Sequence, residues 1–90
     1  MSSDPYTVRL AIGNQKETPL KLWIEPWVEE FELPPGTEVE VRLSGNAESR
    51  VEVEYHQDAI LVFGFYGSFA SVFRDGKLIW ECHARLASPP

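Results

Sequence analysis

The chain has 90 residues, 43% of them hydrophobic and 12% aromatic, and a net charge of −6. That length allows one domain with one core and no second, and the aromatic content excludes a disordered chain. Fourteen acids against eight bases argue against capture of nucleic acid or anionic lipid by charge, and a single cysteine excludes an internal disulfide.

Apolar residues recur with a period of two along most of the chain, the mark of strands covered on one face. In the first run Tyr6, Val8, Leu10 and Ile12 share a face, opposite Thr7, Arg9 and Ala11. A polar connector over 13–19 follows, and then Leu20, Leu22 and Ile24 alternate with Lys21, Trp23 and Glu25. Pro26 cannot donate to a ladder, so the strand ends or bends there. The third run sets Trp27, Glu29, Phe31 and Leu33 against Val28, Glu30 and Glu32. Pro34-Pro35-Gly36 reads as a turn, because proline fixes φ and glycine can supply φ > 0.

Val39, Val41 and Leu43 then alternate with Glu38, Glu40 and Arg42, and a loop is expected over 44–49. Val51, Val53 and Tyr55 follow, alternating with Arg50, Glu52, Glu54 and His56. Ile60-Leu61-Val62-Phe63 is apolar on both faces, as expected of a central strand covered on both sides. Asp75-Gly76, between two alternating runs, predicts a type I′ hairpin. Pairing Arg74 with Lys77 sets Phe73 against Leu78, Val72 against Ile79 and Ser71 against Trp80.

Seven or eight short strands with turn chemistry between them predict an all-β fold, a small antiparallel β-sandwich or partly open barrel. It is expected to occupy 1–90 as a single domain, with frayed ends at 1–5 and 87–90. The first residues offer neither a basic nor an apolar signal region, and no apolar stretch reaches the roughly 20 residues of a membrane helix, so no signal sequence and a cytoplasmic location are expected.

The acids are concentrated. Residues 25–54 hold nine acids and two bases, a net of −7, while the remainder is close to neutral. The third to fifth strands are therefore expected to present one acidic surface. If the fourth and fifth strands form a hairpin, Arg42 opposite Glu52 is the favoured register, because Arg42 opposite Arg50 aligns like charges.

Chemistry has few carriers. Cys82 and His83 are adjacent and would point to opposite faces of a strand, and there is no C-x-x-C or H-x-H spacing. Cys82 reads as a buried thiol, and His56 and His83 as solvated imidazoles. No metal, cofactor or catalytic residue is expected. The paired glutamates lie at solvent-facing positions, and the glycines are too scattered for a phosphate loop.

Binding surfaces remain. Trp23 is either a covered tryptophan or an exposed platform, and Phe63, Phe65, Tyr66 and Phe69 around Gly64 and Gly67 either form a lip or close one end of the fold. Trp27 and Trp80 are assigned to the core, Trp80 because it shares a face with Leu78 and Cys82. The candidate partner-binding residues are Trp23, Glu25, Glu38, Glu40, Glu52, Glu54, Phe65 and Phe69. The first functional expectation is a non-enzymatic module that binds a protein with a basic surface through the acidic strand face. The second is a carbohydrate or small-molecule binder using Trp23 and the Phe65–Phe69 lip. A third is an immunity-like acidic inhibitor of a basic protein. Exposed sheet edges add homodimerisation as an expectation.

The segment Leu22-Trp23-Ile24-Glu25-Pro26-Trp27, with Glu30, Phe31 and Leu33-Pro34-Pro35-Gly36, resembles small bacterial proteins of uncharacterised function with an LW-x-EPW … L-x-PG core. Asn14 in its polar loop, Val62-Phe63-Gly64 and Phe73-Arg74-Asp75-Gly76 extend the resemblance over residues 8–80. It implies a bacterial origin and a small β-sandwich, and supplies no catalytic or binding residue. Glu25-Pro26-Trp27 is expected to form a sharp corner, with the proline stacked on an indole and Glu25 accepting local backbone N–H groups.

Overall fold

The computed structural model describes residues 4–87. They form eight strands: β1 (Tyr6–Gly13), β2 (Leu20–Glu25), β3 (Glu29–Leu33), β4 (Glu38–Gly45), β5 (Glu52–His56), β6 (Ala59–Phe63), β7 (Phe69–Arg74) and β8 (Lys77–Glu81). Two four-stranded sheets result, ordered β1-β4-β7-β8 and β3-β2-β6-β5. The expected all-β sandwich is therefore present. No helix among the described residues is long and apolar enough to cross a membrane.

The period-two pattern decides the packing. Leu20, Leu22 and Ile24 of β2, Val39, Val41 and Leu43 of β4, Val62 of β6, and Ala70 and Val72 of β7 are all buried between the sheets. Their odd-numbered or even-numbered neighbours stay outside, as alternation along a pleated strand requires. The Asp75-Gly76 turn has φ of 52° and 76°, the two positive values a type I′ turn needs. Gly36 likewise sits at φ 78°, and the Thr37 N–H donates to the Pro34 carbonyl across that turn.

Four expectations are corrected. First, the sandwich is not wholly antiparallel: β2 and β6 pair in parallel, Trp23 beside Leu61 and Glu25 beside Phe63. Second, β4 and β5 do not form a hairpin. Both flanks of β4 are occupied by β1 and β7, so the chain crosses to the other layer and β5 pairs with β6. Arg42 lies opposite Arg9 and Ser71, and Glu52 lies opposite Phe63. Third, Val72 pairs with Trp80 and Ser71 with Glu81, because Ile79 is the extra residue of a β-bulge. Phe73–Leu78 and Arg74–Lys77 are as expected. The bulge turns Trp80 inward, where its ring packs edge-on against Trp27 at 6.3 Å and Phe31 at 6.0 Å. Leu78 instead faces out, so Trp80 joins the core through the bulge and not through a face shared with Leu78. Fourth, β6 is central but covered on one side only. Val62 is buried, while Leu61 and Phe63 are half-buried on an outer face with no layer of described residues over it.

Asn14 closes one end of the fold. It is 2% exposed, and its amide nitrogen donates to the Thr18 and Leu33 carbonyls, both at 2.9 Å. Its side-chain oxygen accepts the Lys16 N–H, and its backbone bonds Thr37 and Gly36. One residue thus ties the β1–β2 connector to the end of β3 through its side chain and to the turn after it through its backbone.

At the other end, the Glu25–Val28 corner joins β2 to β3, as expected. The expected local bonds to Glu25 are replaced by a long-range one: its backbone carbonyl, and not its carboxylate, accepts the N–H of Gly64 beyond the end of β6. Trp27 donates from Nε1 to the Ala84 carbonyl. A Cβ on Gly64 would lie 2.7 Å from the Trp27 ring, so the indole packs directly on this backbone. The expected fraying at 1–5 and 87–90 falls mostly outside the described residues. Inside them, Asp4 is paired with Arg85 at 2.8 Å, and Leu86 exchanges backbone bonds with Gly67 and Ser68.

Candidate functional site

The register of the β3-β2-β6-β5 sheet builds its outer face row by row. One row runs Glu30, Trp23, Leu61, Glu54 across the four strands. The row on one side runs Glu32, Lys21, Ala59, His56, and on the other Glu25, Phe63, Glu52. The two central strands therefore carry an apolar stripe of Trp23, Ala59, Leu61 and Phe63, all half-buried. The two edge strands carry carboxylates. Five acids, Glu25, Glu30, Glu32, Glu52 and Glu54, face one lysine on this surface, a net of −4 with His56 neutral.

Local pairing quenches little of that charge. Lys21 reaches Glu30 at 3.4 Å, with both side chains about half exposed. His56 lies 3.2 Å from Glu54, also at the surface. Such exposed pairs contribute at most about 1 kcal/mol each. The other carboxylates have no cationic partner among the described residues.

The stripe leads into a cleft. Phe63 continues with Phe65, Tyr66, Pro26 and Leu86 into a cavity of about 580 Å³, with Arg50 and Glu52 at its rim. Tyr66 is 61% exposed, so the aromatic lip at this end is open to solvent. Phe65 packs under it, against Gly45, where a Cβ would meet the ring edge at 2.8 Å.

The expected candidates are divided between two surfaces. Trp23, Glu25, Glu52 and Glu54 share the outer face just described, and Phe65 lines the adjoining cleft. Glu38 and Glu40 lie on β4, and Phe69 on β7, all facing outward from the other sheet. The single acidic surface expected of the third to fifth strands is thus split by the crossing from β4 to β5. Likewise, Phe69 does not join Trp23 in one ligand site. Glu30, Glu32 and Leu61 belong to the face and are not among the candidates that alternation names, and Phe63, expected only in the lip, joins the face as well. The signal for Leu61 and Phe63 is the doubly apolar β6 run, whose expected second cover is absent among the described residues.

Cys82 is buried at 3% exposure, and its sulfur accepts the Ala70 N–H at 3.2 Å. Among the described residues no group of three or more His, Cys, Asp or Glu side chains is placed to hold a metal ion. Compared with protein-family models, curated proteins and solved structures, the chain matches none.

Proposed function

We propose that the protein is a non-enzymatic docking module of the cytoplasm that binds a partner protein through the outer face of the β3-β2-β6-β5 sheet. The observation that carries this reading is β6. It is apolar on both faces, the described residues form two layers, and its outer side chains lie half-buried beside Trp23 with no layer of described residues over them. Contiguous apolar surface rimmed by charge is characteristic of docking sites. The five carboxylates around the stripe favour a partner with apolar side chains at the centre of its contact and lysines or arginines at the edge. Such a rim accelerates encounter and selects the partner, while the stripe supplies the buried contact. An immunity-like inhibitor of a basic protein is one member of this class.

The test compares proteins retained from a host extract by the wild-type chain and by variants. Leu61→Lys and Trp23→Ala should release the same partner, and Glu30→Lys with Glu54→Lys should weaken it in a salt-dependent manner. Glu38→Lys with Glu40→Lys, on the opposite sheet, should retain it. Retention by Leu61→Lys, or equal loss with the Glu38 and Glu40 changes, would refute the reading.

The cleft at Phe63, Phe65 and Tyr66 supports a second reading, a sugar or small-molecule ligand held on aromatic walls. Such a ligand would bind independently of salt and respond to Tyr66→Ala but not to Trp23→Ala, because Trp23 does not line the cleft.

A further inference from the structure

The opposite outer face, that of the β1-β4-β7-β8 sheet, carries an unexpected pairing. Arg9 and Arg42 are direct cross-strand partners and project to the same side. Like charges directly opposite one another destabilise a sheet. Carboxylates outnumber bases in this chain by fourteen to eight, so a neutralising partner was readily obtainable. On the other sheet the chain uses one, setting Lys21 opposite Glu32 and within reach of Glu30. Arg9 has no hydrogen-bond or ion-pair partner among the described residues.

The surroundings of the two arginines suit an oxyanion. Thr7 and Ser44 are cross-strand partners in the neighbouring row, and Ser71 lies beside Arg42, so three hydroxyls line the same cleft. Arg42 is held in place from two sides. Its Nε donates to the Glu40 carboxylate at 2.8 Å, and its guanidinium carbon lies 3.9 Å from the centre of the Phe73 ring. The terminal nitrogens of Arg42 have no partner among the described residues, which leaves a positioned fork for an oxyanion. Asp4, which lines the cleft, is already engaged by Arg85 at 2.8 Å, and Glu40, beside the cleft on β4, is engaged by Arg42. Glu81 stands one strand further out, opposite Ser71. The cleft has a volume of about 230 Å³, with Phe69 and Phe73 in its wall.

We infer that this cleft binds a phosphate monoester, with Arg9 and Arg42 on the phosphate, the Thr7, Ser44 and Ser71 hydroxyls donating to it, and a flat apolar substituent against Phe69 and Phe73. The site is independent of the docking face, which lies on the other sheet.

The experiment is a titration of the intact, isotope-labelled chain with phenyl phosphate, followed by backbone amide shifts. Saturable shifts are expected at Arg9, Arg42, Ser44 and Ser71, with inorganic phosphate at least tenfold weaker and phenol silent. Arg9→Gln and Arg42→Gln should each weaken phenyl phosphate about tenfold or more, and Glu17→Gln, on the exposed connector between β1 and β2, should leave its binding unchanged. Arg9→Gln also removes the like-charge pair, so its melting temperature without ligand should equal or exceed that of wild type, which shows that lost binding is not lost folding. A phosphotyrosyl peptide that binds more tightly than free phosphotyrosine identifies a phosphorylated protein as the source of the group; equal affinity identifies a small metabolite. Absence of saturable shifts at these amides, or binding undiminished in both arginine variants, overturns the inference.

Discussion

Replacing Asn14 with aspartate changes one nitrogen to an oxygen and should nonetheless be among the most damaging substitutions in the chain. In the native fold the amide nitrogen donates to the Thr18 and Leu33 carbonyls, both at 2.9 Å, and the oxygen accepts the Lys16 N–H. Asn14→Ala removes all three bonds, at about 1 kcal/mol each, and leaves the buried Leu33 carbonyl without its partner, so a loss of about 3 kcal/mol is expected. Aspartate keeps the acceptor for Lys16 but sets a carboxylate oxygen against two carbonyl oxygens in a site only 2% exposed. Its cost at pH 7 should exceed that of alanine, at about 4 kcal/mol or more. Burial and facing carbonyls both disfavour the ionised form, so the new carboxyl has a folded-state pKa above its unfolded value of about 3.9. Between those two values the native state binds more protons than the unfolded state, so the variant's deficit should shrink as pH falls from 7 towards 4. A protonated carboxyl regains one donor, which acts in the same direction. Urea unfolding of wild type, Asn14→Ala and Asn14→Asp at pH 7 and 4.5, followed by circular dichroism, measures the differences. An aspartate variant as stable as wild type at pH 7, or one with the same deficit at both pH values, would refute the role given to Asn14.

Other substitutions test the packing and the turns. Trp80→Ala removes the indole that the bulge places edge-on against Trp27 and Phe31, and should cost about 3 kcal/mol or more in thermal unfolding. A near-native melting temperature would count against Trp80 as a member of the core. Gly64→Ala places a methyl 2.7 Å from the Trp27 ring and 2.9 Å from the Ser68 hydroxyl, which should cost about 1–3 kcal/mol in thermal unfolding. Gly76→Ala has open space but sits at φ 76°, so its smaller cost, about 1 kcal/mol, should arise from backbone strain alone. Equal losses for the two glycine variants would show that the crowding at Gly64 is relieved by movement.

The inner half of the fold was legible in the sequence because alternation reports burial directly. Leu20, Leu22 and Ile24, and Val39, Val41 and Leu43, needed nothing more than the period of a strand. The Asp75-Gly76 turn was equally plain, since its backbone geometry depends on those two residues alone. Strand neighbours were not legible. Nothing between Ser44 and Arg50 states whether the chain turns back beside β4 or crosses to the other layer, and the acidic surface depended on that choice. Ile79 shows the same limit at smaller scale. A bulge has no composition of its own, and the benefit that selects it comes from Trp27 and Phe31, which are distant in the chain. Asn14 looks in the sequence like one polar residue among several, because the buried carbonyl it satisfies, that of Leu33, belongs to a strand end nineteen residues away. For the candidate site, Trp23, Glu25, Glu52 and Glu54 could be named from alternation, but only the parallel register of β2 and β6 brings Leu61 and Phe63 beside them.

The strand orders also govern how the chain reaches its native state. Three pairings, β2–β3, β5–β6 and β7–β8, join consecutive strands, and three, β1–β4, β2–β6 and β4–β7, join strands that others separate. The first sheet is complete only when β8 arrives, and the second only when β5 and β6 have docked beside β2. During synthesis the apolar faces of β1 to β4 must therefore wait for later strands, exposed or loosely collapsed. Non-local pairing of this kind slows folding to milliseconds or longer, and unpaired apolar strands aggregate while they wait. No N-terminal portion ending before β6 contains a closed sheet, so the chain should gain its structure in one late, cooperative step, and truncation should abolish folding rather than trim it.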